Sequence, residues 1–271
     1  MTQPANHPIG IFDSGVGGLT VTRAVMERLP AERIVYFGDT ARVPYGVKSP
    51  ETVNRYAAEI VRFLLDKEVK LLIVACNTMA AVALPTITAL SPVPVLEVID
   101  AGARSALAAT GTGRIGIIAT PSTVQSGAYK AAIARRGGDA SRTISRACPL
   151  FVPLAEEGFL DHPATRLIAR EYLAPVLAEN PDTLILGCTH YPLLRPLLQD
   201  EAGPSVTLVD SAAAVAADTQ RILAEAGLLA DADHLPHHDF YVTDAPDRLR
   251  GIGELFLGRP LPDVHLVSLG C

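Results

Sequence analysis

Two stretches of the chain combine a buried-strand pattern with a cysteine at its end. Leu71–Ala75 is an uncharged run of aliphatic and small residues, and Cys76-Asn77-Thr78 follows it directly. The pattern returns at Thr183–Gly187, which is followed by Cys188-Thr189-His190. Such runs are typical of parallel strands that are buried on both faces. We therefore expect two central strands, each carrying a thiol and then polar side chains to the edge of a sheet.

The rest of the chain alternates between strand and helix patterns. Strands are predicted at Ile9–Ser14, Arg33–Asp39, Val93–Ile99, Arg114–Thr120, Val206–Ser211, Phe240–Thr243 and Val264–Val267. Helices are predicted at Leu19–Leu29, Glu51–Lys67, from Met79, and at Ala101–Ala109, Thr123–Arg136, Arg166–Leu177 and Ala213–Ala226. This alternation predicts an α/β fold with mainly parallel sheets.

Ligands of parallel sheets bind beyond the carboxyl ends of the strands. Asp13, Asp39, Cys76, Cys188 and Asp210 all fall at predicted carboxyl ends. The strand–cysteine–polar–helix unit occurs twice, with an offset of 112 residues from position 76 to position 188. We expect two similar domains whose strand ends face one another across a cleft.

Composition and net charge limit which partners and which cellular location we expect for the protein. Of the 271 residues 49% are hydrophobic, and no apolar stretch reaches the roughly 20 residues of a membrane span. The net charge of −6 and the lack of any Lys/Arg-rich run argue against nucleic acid as a partner. Because the first residues, Met1–Pro8, show no secretion signal, we expect a cytoplasmic protein.

Two thiols on opposite faces of one carbon atom could act as a pair of acid–base groups. A thiolate is a good base, and a helix N-terminus after the cysteine favours the anion. Asp13 near Cys76 and His190 near Cys188 could share the proton. One base that removes an α-proton and another that returns a proton on the opposite face make a racemase.

Pyridoxal phosphate is the usual aid to this chemistry, and it needs a lysine. The four lysines, Lys48, Lys67, Lys70 and Lys130, fall on predicted loops or helices rather than at strand ends. We therefore expect chemistry without a cofactor.

Other interpretations remain open. A cysteine hydrolase using Cys188 and His190 would leave Cys76 without a role, and a non-catalytic amino-acid-binding protein would also suit two lobes around a cleft. We expect no metal site, because His234, His237 and His238 lie in a proline-containing turn without other ligand types. Cys148 is expected to be structural and Cys271 to be a surface thiol.

Several uninterrupted motifs carry a resemblance to a known family. They are Gly10-Ile11-Phe12-Asp13-Ser14-Gly15-Val16-Gly17-Gly18-Leu19-Thr20-Val21, Pro44-Tyr45-Gly46, Ala75-Cys76-Asn77-Thr78, Ala147-Cys148-Pro149-Leu150-Phe151-Val152-Pro153-Leu154 and Gly187-Cys188-Thr189-His190-Tyr191-Pro192-Leu193. From about Pro8 to about Val267 the chain resembles the cofactor-independent aspartate/glutamate racemase superfamily, and within it the glutamate racemases.

The resemblance implies roles for individual residues. Cys76 and Cys188 would be the acid–base catalysts, with Asp13 assisting the first and His190 and a glutamate assisting the second. That glutamate is expected at Glu156, with Glu157 left as the alternative. The amino acid would be held by Asp13, Ser14, Tyr45, Gly46, Asn77, Thr78, Thr189 and His190.

The resemblance also implies an architecture and a biological role. It predicts two Rossmann-like domains related by pseudo-twofold symmetry, one formed by residues 1–98 plus 208–271 and the other by residues 99–207. It implies a homodimer, glutamate as substrate, and D-glutamate as a product for peptidoglycan synthesis. Related aspartate racemases usually carry an acid where this chain has His190, so His190 favours glutamate over aspartate.

Overall fold

The computed structural model describes residues 5–261 and 264–269. The strands are β1 (Ile9–Asp13), β2 (Ile34–Gly38), β3 (Leu71–Val74), β4 (Val95–Glu97), β5 (Ile115–Ala119), β6 (Thr143–Ala147), β7 (Thr183–Gly187), β8 (Thr207–Val209), β9 (Asp239–Val242) and β10 (Val264–Leu266). The α-helices are α1 (Leu19–Arg28), α2 (Pro50–Leu65), α3 (Asn77–Leu90), α4 (Val98–Ala109), α5 (Pro121–Ser126), α6 (Ala128–Arg135), α7 (Phe151–Glu156), α8 (Pro163–Leu177), α9 (Arg195–Ala202), α10 (Ala212–Glu225) and α11 (Pro246–Leu257).

Within the described residues the strands form two sheets. One has six strands in the order β10-β9-β2-β1-β3-β4, and the other has four in the order β6-β5-β7-β8. Every neighbouring pair is parallel. The predicted α/β class with parallel sheets is confirmed.

The two sheets repeat one strand order. The run β2-β1-β3-β4 of the first sheet corresponds to β6-β5-β7-β8 of the second. Cys76 follows β3, and Cys188 follows β7, so the cysteines occupy equivalent places in the repeat. The division at residues 98/99 and 207/208 stays a prediction; its second border falls inside β8 (Thr207–Val209).

Burial explains the central strands and their flanking helices. Every residue of β1, β2, β3, β5 and β7 is buried, as the uncharged runs predict for strands covered on both faces. Helix α2 buries one stripe, Val53, Ala57, Ile60, Val61 and Leu64. Its start is marked by Ser49, whose side chain accepts from the N–H of Thr52, and by a proline at the next position.

Some elements differ from those predicted. Thr143–Ala147 forms the edge strand β6, which the half-exposed sequence Thr-Ile-Ser-Arg-Ala does not reveal. Val98 and Ile99 belong to helix α4 rather than to the preceding strand, because the Glu97 side chain caps that helix. The helix predicted over Thr123–Arg136 breaks at Gly127, which has a φ of +67°. The sequence patterns do not predict helices α7, α9 and α11.

A buried ion pair anchors the amino end of β3. Lys70 is fully buried, and its Nζ lies 2.6 Å from Oε2 of Glu32 and donates to the Leu228 carbonyl at 2.8 Å. Glu32 Oε1 accepts from the N–H of Ala230 at 2.9 Å. The pair therefore holds the segment around residues 228–230 at the amino end of β3. Cys76 follows the opposite end of that strand.

No helix within residues 5–261 and 264–269 is long and apolar enough to cross a membrane. Of the two cysteines expected outside the site, Cys148 is fully buried and Cys271 lies outside the described residues.

Candidate active site

One cavity lies between the carboxyl ends of the two sheets. It has a volume of about 370 Å³, and both Cys76 and Cys188 line it. Because each cysteine follows a strand of a different sheet, the two thiols reach the cavity from the two halves of the repeat. A cavity of this size suits a small molecule.

Most of the predicted site residues lie on this cavity. Its lining includes Ser14, Tyr45, Gly46, Cys76, Asn77, Thr78, Glu156, Cys188, Thr189 and His190. Asp13 is buried and does not line the cavity. A larger and more open cavity of about 710 Å³ lies along β6, lined by Arg114, Lys130 and Arg142 among others, and none of the predicted site residues faces it.

Cys76 is a buried thiol at the start of α3. Burial, and then the nearby Asp13 carboxylate, raise its pKa to about 12, although contacts with Ser14 and the N–H of Met79 partly offset this rise. At neutral pH the isolated site therefore holds Cys76 as the protonated thiol, although it lies at a helix N-terminus that favours the anion.

Asp13 lies beside Cys76 at the end of β1. Its Oδ2 accepts the N–H of Gly15 at 3.0 Å, while its buried Oδ1 has no hydrogen-bond partner among the described residues. Burial raises the pKa of Asp13, and the charge of His190 and the neighbouring N–H groups oppose that rise only in part. A buried carboxylate with a raised pKa can receive a proton more readily than an ordinary one.

On the other side, Cys188, His190 and Glu156 form a chain of contacts. Cys188 Sγ lies 3.8 Å from His190 Nδ1, and His190 Nε2 lies 3.0 Å from Glu156 Oε1. Burial alone would lower the pKa of His190, but the contacts with Cys188 and Glu156 raise it to about 10. The imidazole is therefore charged at neutral pH and faces the sulfur.

The structure separates the two candidate glutamates. Glu156 reaches His190, whereas the Glu157 side chain is 68% exposed and approaches Arg248 at 3.9 Å. Burial alone would raise the pKa of Glu156, but His190 and then Arg248 lower it below its ordinary value. The expected position, Glu156, is the one in contact with His190; its role stays a prediction.

The Asn77-Thr78 pair, which follows β3 of the six-stranded sheet, contacts side chains from the part of the chain that forms the four-stranded sheet. The Tyr129 hydroxyl donates to Asn77 Oδ1 at 2.7 Å, and Asn77 lines the cavity. Thr78 Oγ1 lies 3.0 Å from Thr120 Oγ1.

Thr120 also lines the cavity and was not predicted. Thr120 follows β5, which is the counterpart of β1 in the repeat. Its place therefore corresponds to that of Asp13-Ser14, and this correspondence is the sequence signal that could have identified it.

Tyr45 is held by a buried carboxylate. Its hydroxyl donates to Asp39 Oδ2, which also accepts from Arg42 Nε at 2.6 Å, while Asp39 Oδ1 accepts from Thr243 at 2.8 Å. Tyr45 lines the cavity while its hydroxyl is engaged with Asp39. Gly46 lies so close to Thr120 that an added Cβ would be 2.8 Å from the threonine Cβ.

The arrangement supports acid–base chemistry more than nucleophilic hydrolysis. Cys188 and His190 do meet, although residues two apart in the chain need not, so the contact that a hydrolase would use is present. Cys76 nevertheless lines the same cavity with its own neighbouring carboxylate, and a hydrolase gives that second thiol no task.

Comparison with known proteins agrees with the motifs. A sequence model of the Asp/Glu/Hydantoin racemase family matches residues 9–219. The chain is 63% identical over 267 residues to a glutamate racemase of Syntrophus aciditrophicus, and the match covers 98% of each chain. It is 55% identical over 265 residues to a glutamate racemase of Neisseria meningitidis, and that match covers 97% of each chain. A crystal structure of glutamate racemase from Francisella tularensis in complex with D-glutamate superimposes with a TM-score of 0.91 at 40% identity, covering 98% of each chain. The chain belongs to the Asp/Glu/Hydantoin racemase family.

Proposed function

We propose that the protein interconverts L-glutamate and D-glutamate with Cys76 and Cys188 as the two bases. The observation that carries the proposal is the placement of both thiols, from equivalent positions of a repeated sheet, on one cavity. The names of the high-identity relatives support glutamate as the substrate.

The reaction is a pair of proton transfers. The thiolate on one side takes the α-proton and becomes a thiol, leaving a carbanion on the α-carbon. The thiol on the other side gives its proton to the opposite face and becomes a thiolate. The configuration of the carbon inverts, and the protein ends with its proton on the opposite cysteine.

The cavity has two half-sites, Cys76 with Asp13 and Cys188 with His190 and Glu156. They differ in where the proton rests. Cys76, with a pKa of about 12, holds its proton in the resting protein and is ready to give it to a carbanion. For the reverse direction Cys76 must first lose that proton, and the buried Asp13 is placed to receive it. On the other side the charged His190, held by Glu156, stabilises negative charge on Cys188. By resemblance, Cys188 serves L-glutamate and Cys76 serves D-glutamate.

The position of the lysines supports proton transfer without pyridoxal phosphate. A lysine must lie in the cavity to form the Schiff base that holds that group. Lys70 is paired with Glu32 at the amino end of β3, and the cavity lining contains no lysine among the described residues.

The test of substrate and reaction is polarimetry of the purified protein without added cofactor. L-Glutamate should lose its optical rotation completely, and L-aspartate should react far more slowly. Rotation that stays constant with both enantiomers of both amino acids would refute the racemase. Racemisation that survives Cys76→Ser undiminished would refute Cys76 as one of the two bases.

We also propose, from the family resemblance, that the D-glutamate enters peptidoglycan synthesis in the cytoplasm and that the protein is a homodimer. Sedimentation equilibrium tests the second point, and a mass of one chain at all concentrations would contradict it. Rescue of a bacterial strain that requires D-glutamate tests the first, and a failure of the active protein to rescue it would count against that role.

A further inference from the structure

Helix α11 extends from the C-terminal part of the first sheet to the half-site of Cys188. Arg248, in its first turn, donates from Nη2 to Glu156 Oε2 at 3.3 Å. The other oxygen of the same carboxylate, Oε1, contacts His190 at 3.0 Å. Each carboxylate oxygen of Glu156 thus has a cationic partner. His190 follows β7 of the four-stranded sheet, and Arg248 lies between β9 and β10 of the six-stranded sheet.

The helix is anchored where it meets the site. Phe256, which is 1% exposed, packs edge-on against the His190 ring with 5.2 Å between ring centroids and an interplanar angle of 79°. Gly253 allows Leu261 and helix α1 to approach α11 closely, because a Cβ at that position would lie 2.3 Å from Leu261 Cδ1 and 3.1 Å from Leu19 Cδ1. The helix that carries Arg248 is therefore packed against the site, although the Arg248 side chain is 59% exposed.

We propose that Arg248 is a positioning residue for the Cys188 half-site, acting through Glu156 and His190. With both oxygens engaged, the Glu156 carboxylate cannot rotate away from the imidazole. Without Arg248, a single hydrogen bond would hold the carboxylate, and water would compete for the free oxygen. The inference rests on the proposed two-cysteine racemase and adds to it a residue from the part of the chain that forms the six-stranded sheet.

Rates alone cannot show which half-site a substitution affects. The equilibrium constant of a racemisation is unity, so kcat/KM must change equally in both directions. Isotope effects do distinguish the half-sites. If proton transfer at Cys188 slows, the isotope effect on kcat/KM rises for the α-deuterated enantiomer that Cys188 deprotonates, and it falls for the other enantiomer.

The experiment measures these two isotope effects for wild type and for Arg248→Met, Arg248→Lys and Glu156→Gln. Arg248→Met should lower kcat/KM at most about fivefold, as expected for a partly exposed ion pair. It should shift the two isotope effects in opposite directions, in the same sense as Glu156→Gln. Arg248→Lys keeps a charge that can reach one oxygen, so it should restore most of the wild-type values.

Arg250→Met is the matched control on the same helix. Arg250 pairs with Asp247 at 3.0 Å on the exposed side of α11 and should leave all values unchanged. Unaltered isotope effects in Arg248→Met, or a lysine variant no better than methionine, would overturn the inference while leaving the racemase intact. A wild-type protein that does not interconvert the enantiomers would refute the proposed function itself.

Discussion

Gly17 lies close against Thr189 and His190. It lies in the turn between β1 and α1. A Cβ built there would be 2.2 Å from Thr189 Oγ1 and 2.5 Å from His190 Nδ1. The Gly17 backbone is in a conformation open to other residues, so Gly17→Ala tests the contact and not backbone strain.

The size of the expected effect follows from these distances. Non-bonded carbon atoms prefer separations of about 3.5–4.0 Å, so Thr189 and His190 must move by about 1 Å. Overpacking of this kind costs about 1–3 kcal/mol of stability. A displacement of about 1 Å at a reacting group can cost about 100-fold in rate, and here it would fall on the 3.8 Å contact between His190 and Cys188.

The assay combines the kcat/KM of glutamate racemisation with thermal unfolding. Gly17→Ala should lower both kcat/KM and Tm. Gly251→Ala is the matched control: nothing lies within 4 Å of a Cβ there, and the residue is inside helix α11, so this variant should gain about 0.5–1 kcal/mol and keep full activity. Wild-type kcat/KM in Gly17→Ala would refute the close approach of the two halves.

Three further predictions concern charged side chains. Glu156→Gln should lower kcat/KM about 10- to 100-fold, because hydrogen bonds to charged groups contribute about 1.5–3 kcal/mol. Glu157→Gln should keep a kcat/KM near that of the wild type. Equal losses of kcat/KM in the two variants would count against the contact between Glu156 and His190. The pKa of His190 is raised from 6.5 to about 10, so its contribution to stability is complete below pH 6.5 and disappears as the pH rises through about 10. Melting curves of wild type and His190→Asn should therefore converge at alkaline pH, and a gap that is independent of pH would contradict this reasoning. Lys70→Met leaves the buried Glu32 carboxylate unpaired and should lower the free energy of unfolding in urea by about 3–5 kcal/mol. Adding Glu32→Leu should restore part of that stability. An unchanged urea midpoint in Lys70→Met would show that the pair is dispensable.

The sequence predicted best what depends on local burial. Strands β3 and β7 are uncharged runs covered on both faces, so their hydrophobic pattern reveals both the strands and the cysteines that follow them. The edge strand β6 was missed because an edge is half exposed and its alternation is weak.

The site was harder to predict where neighbours come from distant parts of the chain. Glu156 and Glu157 are adjacent in sequence, and only the packing of α7 decides which one contacts His190. Thr120 became visible through its contact with Thr78, and Arg248 through its contact with Glu156. No short-range pattern encodes such pairs.

The most direct test of the two-base mechanism is the position of deuterium after a brief reaction in deuterated water. Starting from L-glutamate, the D-glutamate formed first should carry deuterium at the α-carbon, while the remaining L-glutamate keeps its proton. The reverse should hold when the reaction starts from D-glutamate, because each face has its own thiol. Equal deuterium in substrate and product at early times would indicate a single base that serves both faces, and it would contradict the assignment of Cys76 and Cys188 as a pair.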